Sequence, residues 1–309
     1  MPALGRIYVT PADLGRKVSI RHLVAGVPTD ALGELIDWRD ENFYVKSKAQ
    51  IIKAVPFKNI IAAKVVAPEF SAAWVLTKAL EVWRAKESEN LGDWILQSTG
   101  GGAARVNSCL LVGQPNKSIE ESLAELIAWY HARELTPIAH LSAPGVFDRA
   151  LLKCGFEKTH LIDFLYKDVI PAQVEMNFVV ESRLSESWFT AVNKNYGPDR
   201  SVERFTLESG SWVRFLSLEK FGTIVATARI AGVEDFALIT ILYVDETHRG
   251  LGIGQELMKA VENIAFEFKM KKIWLQVMHT NQEAQNLYKK LGYLLHHRYQ
   301  YWAYLQSRV

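Results

Sequence analysis

The chain has 309 residues, of which 49% are hydrophobic, so two or three domains with buried cores can form. The formal net charge of +2 gives no strong field for binding nucleic acid or an anionic membrane. The two cysteines, Cys109 and Cys154, are too few for a disulfide framework and lack metal-ligand spacing. We find neither a signal peptide nor an apolar run of about 18 residues, so we expect a cytoplasmic protein without a metal or a membrane span.

The first 68 residues are predicted to form a small all-β domain. Polar and apolar residues alternate at 17–21 and 43–47, as in half-buried strands, and turn-forming residues occupy 26–30 and 37–42. About five short strands in a segment of this size are typical of a small barrel, and the segment looks like an SH3-like barrel. It has no cluster of catalytic residue types, so we expect a packing module or a docking site for a protein partner.

Residues 69–170 alternate between helical and strand-like patterns. Apolar residues from 71 to 83 fall mainly at three- and four-residue spacings, which predicts a helix. Ser118 and Glu121 form a capping box that opens a second helix. A third, short helix at 147–153 ends at a glycine–aromatic pair. The strand candidates of this segment are 106–112, 137–141 and 160–167.

Residues 171–309 repeat this order of elements. Several strands, the first at 174–180, lead through a turn to a long helix, then to a strand, a short helix and a last strand. The predicted bounds of these last four elements are 254–270, 272–278, 282–290 and 297–305. The short helix ends at Gly292-Tyr293, as the earlier one ends at Gly155-Phe156. This parallel predicts an internal duplication, and the mixture of strands and helices predicts an α+β fold.

The two copies differ in the turn before the long helix. In the second copy the apolar strand 236–244 is followed by Gly250, Gly252 and Gly254 and then by a helical pattern. Unpaired amides at a helix N-terminus attract anions, and glycines let a phosphate approach the backbone. The first copy has Gly113–Lys117 at this place, with a proline and without the run of glycines. We therefore expect only the second copy to bind a diphosphate.

Two motifs carry a resemblance to the GNAT superfamily of acyl-CoA-dependent N-acyltransferases: Arg249-x-x-Gly252-x-Gly254 and Asn281-x-x-Ala284-x-x-x-Tyr288-x-x-x-Gly292-Tyr293. The resemblance covers about residues 173–309, and residues 69–170 look like a degenerate copy of the same fold. It implies tandem GNAT-like folds after the small barrel. This order resembles an actinobacterial group of acetyltransferases, whose members are described as histone-type or N-acetylglutamate synthase-like enzymes.

The resemblance also implies which residues act. The backbone of the strand end would bind the pantetheine arm of acetyl-CoA, and the amides of the glycine turn would hold its diphosphate. Arg249 opens the motif, although its side chain could instead brace the loop. Tyr288 would be the catalytic acid that protonates the departing thiolate. The residues expected to bind acetyl-CoA are Leu242, Tyr243, Val244, Arg249, Gly250, Leu251, Gly252, Ile253, Gly254, Gln255 and Asn281.

The general base is not identified by the sequence. Some relatives carry a glutamate on the strand before Asn281, but this chain has Gln276, whose neutral amide cannot take a proton. Candidates elsewhere, each with the alternative of being a solvated surface group, are Glu208, Glu219, Asp235, Asp245 and His279. Beside the glycine loop at 100–102, three further polar residues are either structural or bind an acidic acceptor: Arg105, Asn107 and Ser108.

The leading hypothesis is therefore an acetyl-CoA-dependent N-acetyltransferase that transfers the acetyl group directly to an amine. The acceptor is either a small molecule, for example an amino acid such as glutamate, or a protein. The alternative is a non-catalytic acyl-CoA sensor or scaffold with a partner-docking barrel. We expect acetyl-CoA as co-substrate, no metal and no nucleic-acid partner.

Overall fold

The chain forms two compact units in the computed structural model, one of the residues up to 70 with Tyr293–His296, the other of the remainder. The residues described are 7–47, 49–67, 69–142, 145–197 and 201–305.

The first unit contains a six-stranded sheet over an apolar core. Its order is β1-β6-β2-β3-β4-β5, and pairing between the end strands that would close a barrel is not found among the described residues. The predicted strands are therefore present, whereas the predicted barrel is not shown. The strands are β1 (Ile7–Tyr8), β2 (Lys17–Val24), β3 (Val27–Arg39), β4 (Asn42–Lys46), β5 (Ile52–Pro56) and β6 (Ile60–Val65).

Both turns of this unit are shorter than the sequence predicts. The strand β3 starts at Val27 and continues to Arg39, so it includes most of the two predicted turn segments. The hairpins close instead with two residues each, Ala25-Gly26 and Asp40-Glu41, which all have positive φ. Two-residue turns of this type match the right-handed twist of the flanking strands, and they therefore favour long, regular pairing on both sides.

The second unit contains one mixed sheet of eleven strands with helices packed against it. Its helices are α1 (Ala72–Glu81), α2 (Ile119–His131), α3 (Asp148–Lys153), α4 (Glu186–Tyr196), α5 (Arg204–Leu207), α6 (Ile253–Glu267) and α7 (Gln282–Lys290). Its strands are β7 (Glu87–Leu91), β8 (Trp94–Ser98), β9 (Cys109–Leu110), β10 (Ile138–Ser142), β11 (Phe156–Asp168), β12 (Val179–Glu181), β13 (Trp212–Lys220), β14 (Thr223–Val233), β15 (Phe236–Val244), β16 (Lys272–Met278) and β17 (Leu294–Tyr304), the start of which, up to His296, belongs to the first unit. Over the described part of the chain, no helix is long and apolar enough to cross a membrane.

The order of these elements repeats within the second unit. The series β7-β8-β9-α2-β10-α3-β11 has its counterpart in β13-β14-β15-α6-β16-α7-β17. The strand order in the sheet is β12-β13-β14-β15-β16-β11-β17-β10-β9-β8-β7. The last strand of each copy has therefore crossed to the other one: β11 pairs with β16, and β17 pairs with β10. We call this arrangement the strand exchange.

The strand exchange is reflected in the core. Trp302 of β17 is fully buried in the cluster that otherwise consists of first-copy residues between Leu91 and Phe156. The ring of Tyr304, also on β17, packs against the ring of Phe156, with 5.4 Å between the ring centres. A second cluster joins Trp83 of the first copy to Trp188 of the second. Neither copy has a complete core of its own.

Two predicted strands are much shorter in the structure. The apolar run 106–112 forms only β9, because Asn107 holds the preceding chain in a loop. Its side chain accepts a hydrogen bond from Thr99 N at 2.8 Å and donates to Gly101 O at 2.7 Å. Such side-chain bonds to the backbone compete with a strand ladder. The predicted strand 174–180 is reduced to β12, and the elements β7 and α5 are not predicted at all.

Candidate active site

The site begins where two parallel strands separate. β15 and β16 pair only from Phe236 to Ile239 and from Lys272 to Leu275, and a cavity of about 310 Å³ lies beyond this point. We call it the splay cavity. Leu242 and Gln276 line it from the strands, and Tyr288 lines it from α7. Antiparallel pairing with β14 supports β15 on its other side along its whole length.

The turn after β15 has the geometry expected for an anion site. Gly250 and Gly252 have φ of 76° and 78°, in the left-handed region that costs other residues about 1–2 kcal/mol. Gly252 is the N-cap of α6, so the first amides of that helix have no partner within it. A second cavity of about 310 Å³, the turn cavity, lies over these amides.

Ten of the eleven residues expected to bind acetyl-CoA line the turn cavity. The exception is Leu251, whose side chain is 58% exposed and which is not among the lining residues. His248 and Lys290 also line this cavity and were not predicted. The residues brought together as expected are Leu242, Tyr243, Val244, Arg249, Gly250, Gly252, Ile253, Gly254, Gln255 and Asn281.

Side chains fix the shape of the turn. The Asp245 carboxylate accepts a hydrogen bond from Thr247 N at 3.0 Å, and the hydrogen bonds from Thr247 lower the pKa of Asp245. Arg249 Nε donates to Val244 O at 3.2 Å, and its Nη1 lies 3.8 Å from a Glu283 carboxylate oxygen. These contacts favour the bracing role considered for the Arg249 side chain, and Arg249 also lines the turn cavity.

The helix α7 lies beside both cavities. One face of α7 and its N-cap carries Asn281, Ala284 and Tyr288, because these residues are spaced by three and four positions. Asn281 Oδ1 caps the helix by accepting a hydrogen bond from Ala284 N at 3.1 Å. Asn281 also lines both the turn cavity and the splay cavity. Tyr288 is 6% exposed. The two cavities share Leu242, Asn281 and Ala284 and therefore adjoin.

Gln276 occupies the place of the missing glutamate. Its Oε1 accepts a hydrogen bond from Tyr299 Oη at 3.1 Å, which orients the amide in the splay cavity. None of the five base candidates lines the turn cavity, the splay cavity or the cleft described next. Asp235 pairs instead with Lys271 at 2.6 Å, and His279 lies 3.1 Å from the Asp163 carboxylate.

A larger cleft of about 800 Å³ opens from the splay cavity, and we call it the inter-copy cleft. Both copies line it, and Arg105 and Thr240 are among the residues that it shares with the splay cavity. Tyr299 and Tyr301 of β17 also line it, a placement that sequence reasoning missed. Their alternate positions on a strand, which put both on one face, are the signal that could have suggested it.

The turn of the first copy is filled by the protein itself. Asp93 Oδ2 accepts a hydrogen bond from Gln114 N at 2.8 Å, and Asp93 N donates to Gln114 O at 2.8 Å. At the start of α2, Ser118 and Glu121 form the predicted capping box. The Asp93 carboxylate and the Ser118 cap thus accept hydrogen bonds from backbone amides that could otherwise bind an anion. No group of three His, Cys, Asp or Glu side chains that could hold a metal occurs among the described residues.

Comparison with known proteins identifies the C-terminal part. Residues 180–293 match the model of the acetyltransferase (GNAT) family. An uncharacterised N-acetyltransferase of Bacillus subtilis (strain 168), YobR, is 22% identical over 226 residues, which are 68% of this chain and 90% of that protein. The spermine/spermidine N(1)-acetyltransferase of the same organism is 33% identical over 52 residues, which are 16% of this chain and 34% of that enzyme.

A solved structure extends the likeness beyond this segment. The GCN5-related N-acetyltransferase from Kribbella flavida superposes with a TM-score of 0.59 at 15% identity, over 78% of this chain and 98% of that one. At this identity the match shows the fold, a GNAT-like mixed sheet with helices. Residues 180–293 therefore resemble the GNAT family in sequence and lie within a GNAT-like fold. The protein is an N-acetyltransferase, and the comparisons do not support the alternative of a non-catalytic sensor.

Proposed function

We propose that the protein transfers the acetyl group of acetyl-CoA to an amine in the splay cavity. The observation that carries this proposal is that the turn cavity and the splay cavity adjoin. One offers unpaired helix amides for a diphosphate, and the other holds Tyr288 where a thioester sulfur would arrive. An extended pantetheine arm between them would run along the end of β15, as a peptide adds to a strand edge.

The reaction follows from this placement. The amine nitrogen attacks the thioester carbonyl carbon, and the tetrahedral intermediate then breaks its carbon–sulfur bond. The leaving thiolate takes the phenolic proton of Tyr288. The newly acylated nitrogen loses its surplus proton to water, and water reprotonates Tyr288. The ammonium form of the acceptor must first lose a proton. Gln276 cannot accept this proton, and none of the five base candidates lines the three cavities. We therefore propose that water in the open inter-copy cleft carries it to solvent.

The finer assignments are proposals of the same kind. The acceptor is an amine of a small molecule, for example an amino acid such as glutamate, or of a protein. Residues 69–170 and 171–309 are two GNAT-like domains, of which only the second holds acetyl-CoA; the filled turn beside Asp93 supports this. The order of the domains supports membership of the actinobacterial group, and we propose that the protein acts in the cytoplasm.

For the first 68 residues we propose an SH3-like barrel that docks a protein partner. The support is the long strand β3, whose pairing with β4 shifts register between Leu35 and Asp37. Such an irregularity lets one strand bend and a small sheet curl. The connection between β5 and β6 is short, because it consists only of the 3₁₀ turn Phe57–Asn59.

Calorimetry with acetyl-CoA tests the donor, and Gly252→Ala tests the turn. At a φ of 78° the added Cβ strains the native turn by about 1–2 kcal/mol. The free turn can relieve this strain by moving its amides out of place, so we expect acetyl-CoA to bind about 10-fold more weakly. Gly222→Ala is the matched control, because Gly222 has a φ of 75° and equally open space but lies in the β13–β14 turn. A folded wild type that binds no acetyl-CoA would contradict the proposal.

A further inference from the structure

Arg105 is a positively charged residue at the junction of the splay cavity and the inter-copy cleft, which we call the acceptor spaces. It lines both the splay cavity and the inter-copy cleft. Its guanidinium lies 5.6 Å from the centre of the Trp83 ring. Burial raises the pKa of Tyr301, and the charge of Arg105 opposes this rise. The hydrogen bonds of Asn107 hold the loop that carries it. Among the described residues, no carboxylate lies within ion-pair distance of Arg105, so its charge is not neutralised by the protein.

A second cation, Arg229, lies behind the wall of the inter-copy cleft and has no carboxylate partner among the described residues. Arg229 is fully buried and donates hydrogen bonds to backbone carbonyls, including Leu207 O at 2.6 Å and Val82 O at 3.0 Å. It also donates to Thr240 Oγ1 at 2.8 Å, and Thr240 lines both spaces. Burial and the nearby Arg105 lower the pKa of Arg229 to about 9, so it stays charged at neutral pH.

The acceptor spaces contain no acidic side chain to offset these cations. Neither an Asp nor a Glu is among the described residues that line the splay cavity or the inter-copy cleft. The turn cavity, by contrast, has Glu283 at its rim. A polycationic acceptor entering the cleft would meet two positive charges at low dielectric without a partner, whereas an anion would gain from both.

We propose that the acceptor is a small amino acid whose carboxylate pairs with Arg105 while its amine reaches toward Tyr288. Arginine offers two parallel N–H donors that match a carboxylate. In this arrangement the first copy, which has a filled turn, supplies the acceptor subsite for the reaction centre of the second. The inference rests on the proposed function, since it assigns the amine partner of that same reaction.

A panel of amines tests this inference. It contains glycine, β-alanine, 4-aminobutyrate, glutamate and lysine, each beside its neutral amide, together with spermidine and a lysine-containing peptide without free carboxylates. We expect wild-type kcat/KM to be highest for a member with a carboxylate and at least about 10-fold lower for its amide, the loss typical of a charge-assisted hydrogen bond. Acetyl-CoA affinity is measured separately by calorimetry, so failure of the donor site is distinguished from failure of the acceptor assignment.

Substitutions locate the effect at Arg105. Arg105→Gln should lower kcat/KM for the carboxylate acceptor about 10- to 100-fold, mainly through KM, and leave acetyl-CoA affinity unchanged. Arg105→Glu should shift the preference toward spermidine. Arg149→Gln is the matched control, because Arg149 is exposed on α3 and lies outside the three cavities. An enzyme that binds acetyl-CoA yet prefers amides, spermidine or the peptide, or acetylates no carboxylate amine, would overturn the proposal.

Discussion

Tyr288→Phe should lower kcat about 10²- to 10⁴-fold while acetyl-CoA binds with unchanged affinity. General acid catalysis by a positioned group contributes an effect of this size. Phenylalanine keeps the ring that packs at this 6% exposed position, so only the proton donor is removed. The affinity should not change, because the turn amides and the end of β15 that hold the donor are untouched. Steady-state kinetics with free-thiol detection and calorimetry with acetyl-CoA measure the two quantities.

The control for this variant removes a tyrosine hydroxyl from the sheet, away from the site. Tyr166→Phe on β11 makes the same chemical change outside the three cavities, and we expect kcat within about twofold of wild type. If Tyr288→Phe kept full turnover, the thiolate would leave without this acid. The assignment of Tyr288 would then be wrong, although the donor site in the turn cavity could stand.

Trp302→Ala should lower the free energy of unfolding by about 3–5 kcal/mol, as is typical for deleting a buried tryptophan side chain. Trp302 is fully buried, and it fills the core of the first copy although its strand belongs to the second. Because of the strand exchange, the loss should affect both copies together. Urea denaturation followed by circular dichroism measures it, and kcat should fall in parallel when the enzyme is assayed near its unfolding midpoint.

An exposed aromatic residue provides the control for Trp302. Phe221→Ala removes a fully exposed ring at the β13–β14 turn, and we expect a change within about 0.5 kcal/mol. Trp302→Phe should cost less than the alanine variant, since most of the buried volume is kept. An alanine variant that loses less than about 1 kcal/mol would show that β17 does not complete the first core.

Local patterns predicted the elements around the site well. The bounds of β15, β16 and α7 agree with the sequence analysis, because each has a strong periodicity with a defined start and end. The internal repeat was predicted from the two glycine–aromatic pairs that end the short helices, and both glycines, Gly155 and Gly292, adopt positive φ in the structure. These features depend on neighbours in sequence, which is the information that a single chain carries most clearly.

Features that depend on distant residues were missed. The strand exchange pairs β11 with β16 and β17 with β10, and the periodicity of a strand does not reveal its partner. The alternative that Arg105 binds an acidic acceptor stayed open for the same reason. Its position at the junction of two cavities depends on Trp83 and Tyr301, which lie far away in the sequence.

The strand exchange also limits how the catalytic region can be isolated. The segment that matches the family model, residues 180–293, excludes both β11 and β17. A fragment with these ends would leave the backbone of β16 without its β11 neighbour, and such a bare edge recruits strands from other molecules. We therefore expect this fragment to aggregate. For the same reason, a recombinant of two related proteins would have to take both copies from the same parent.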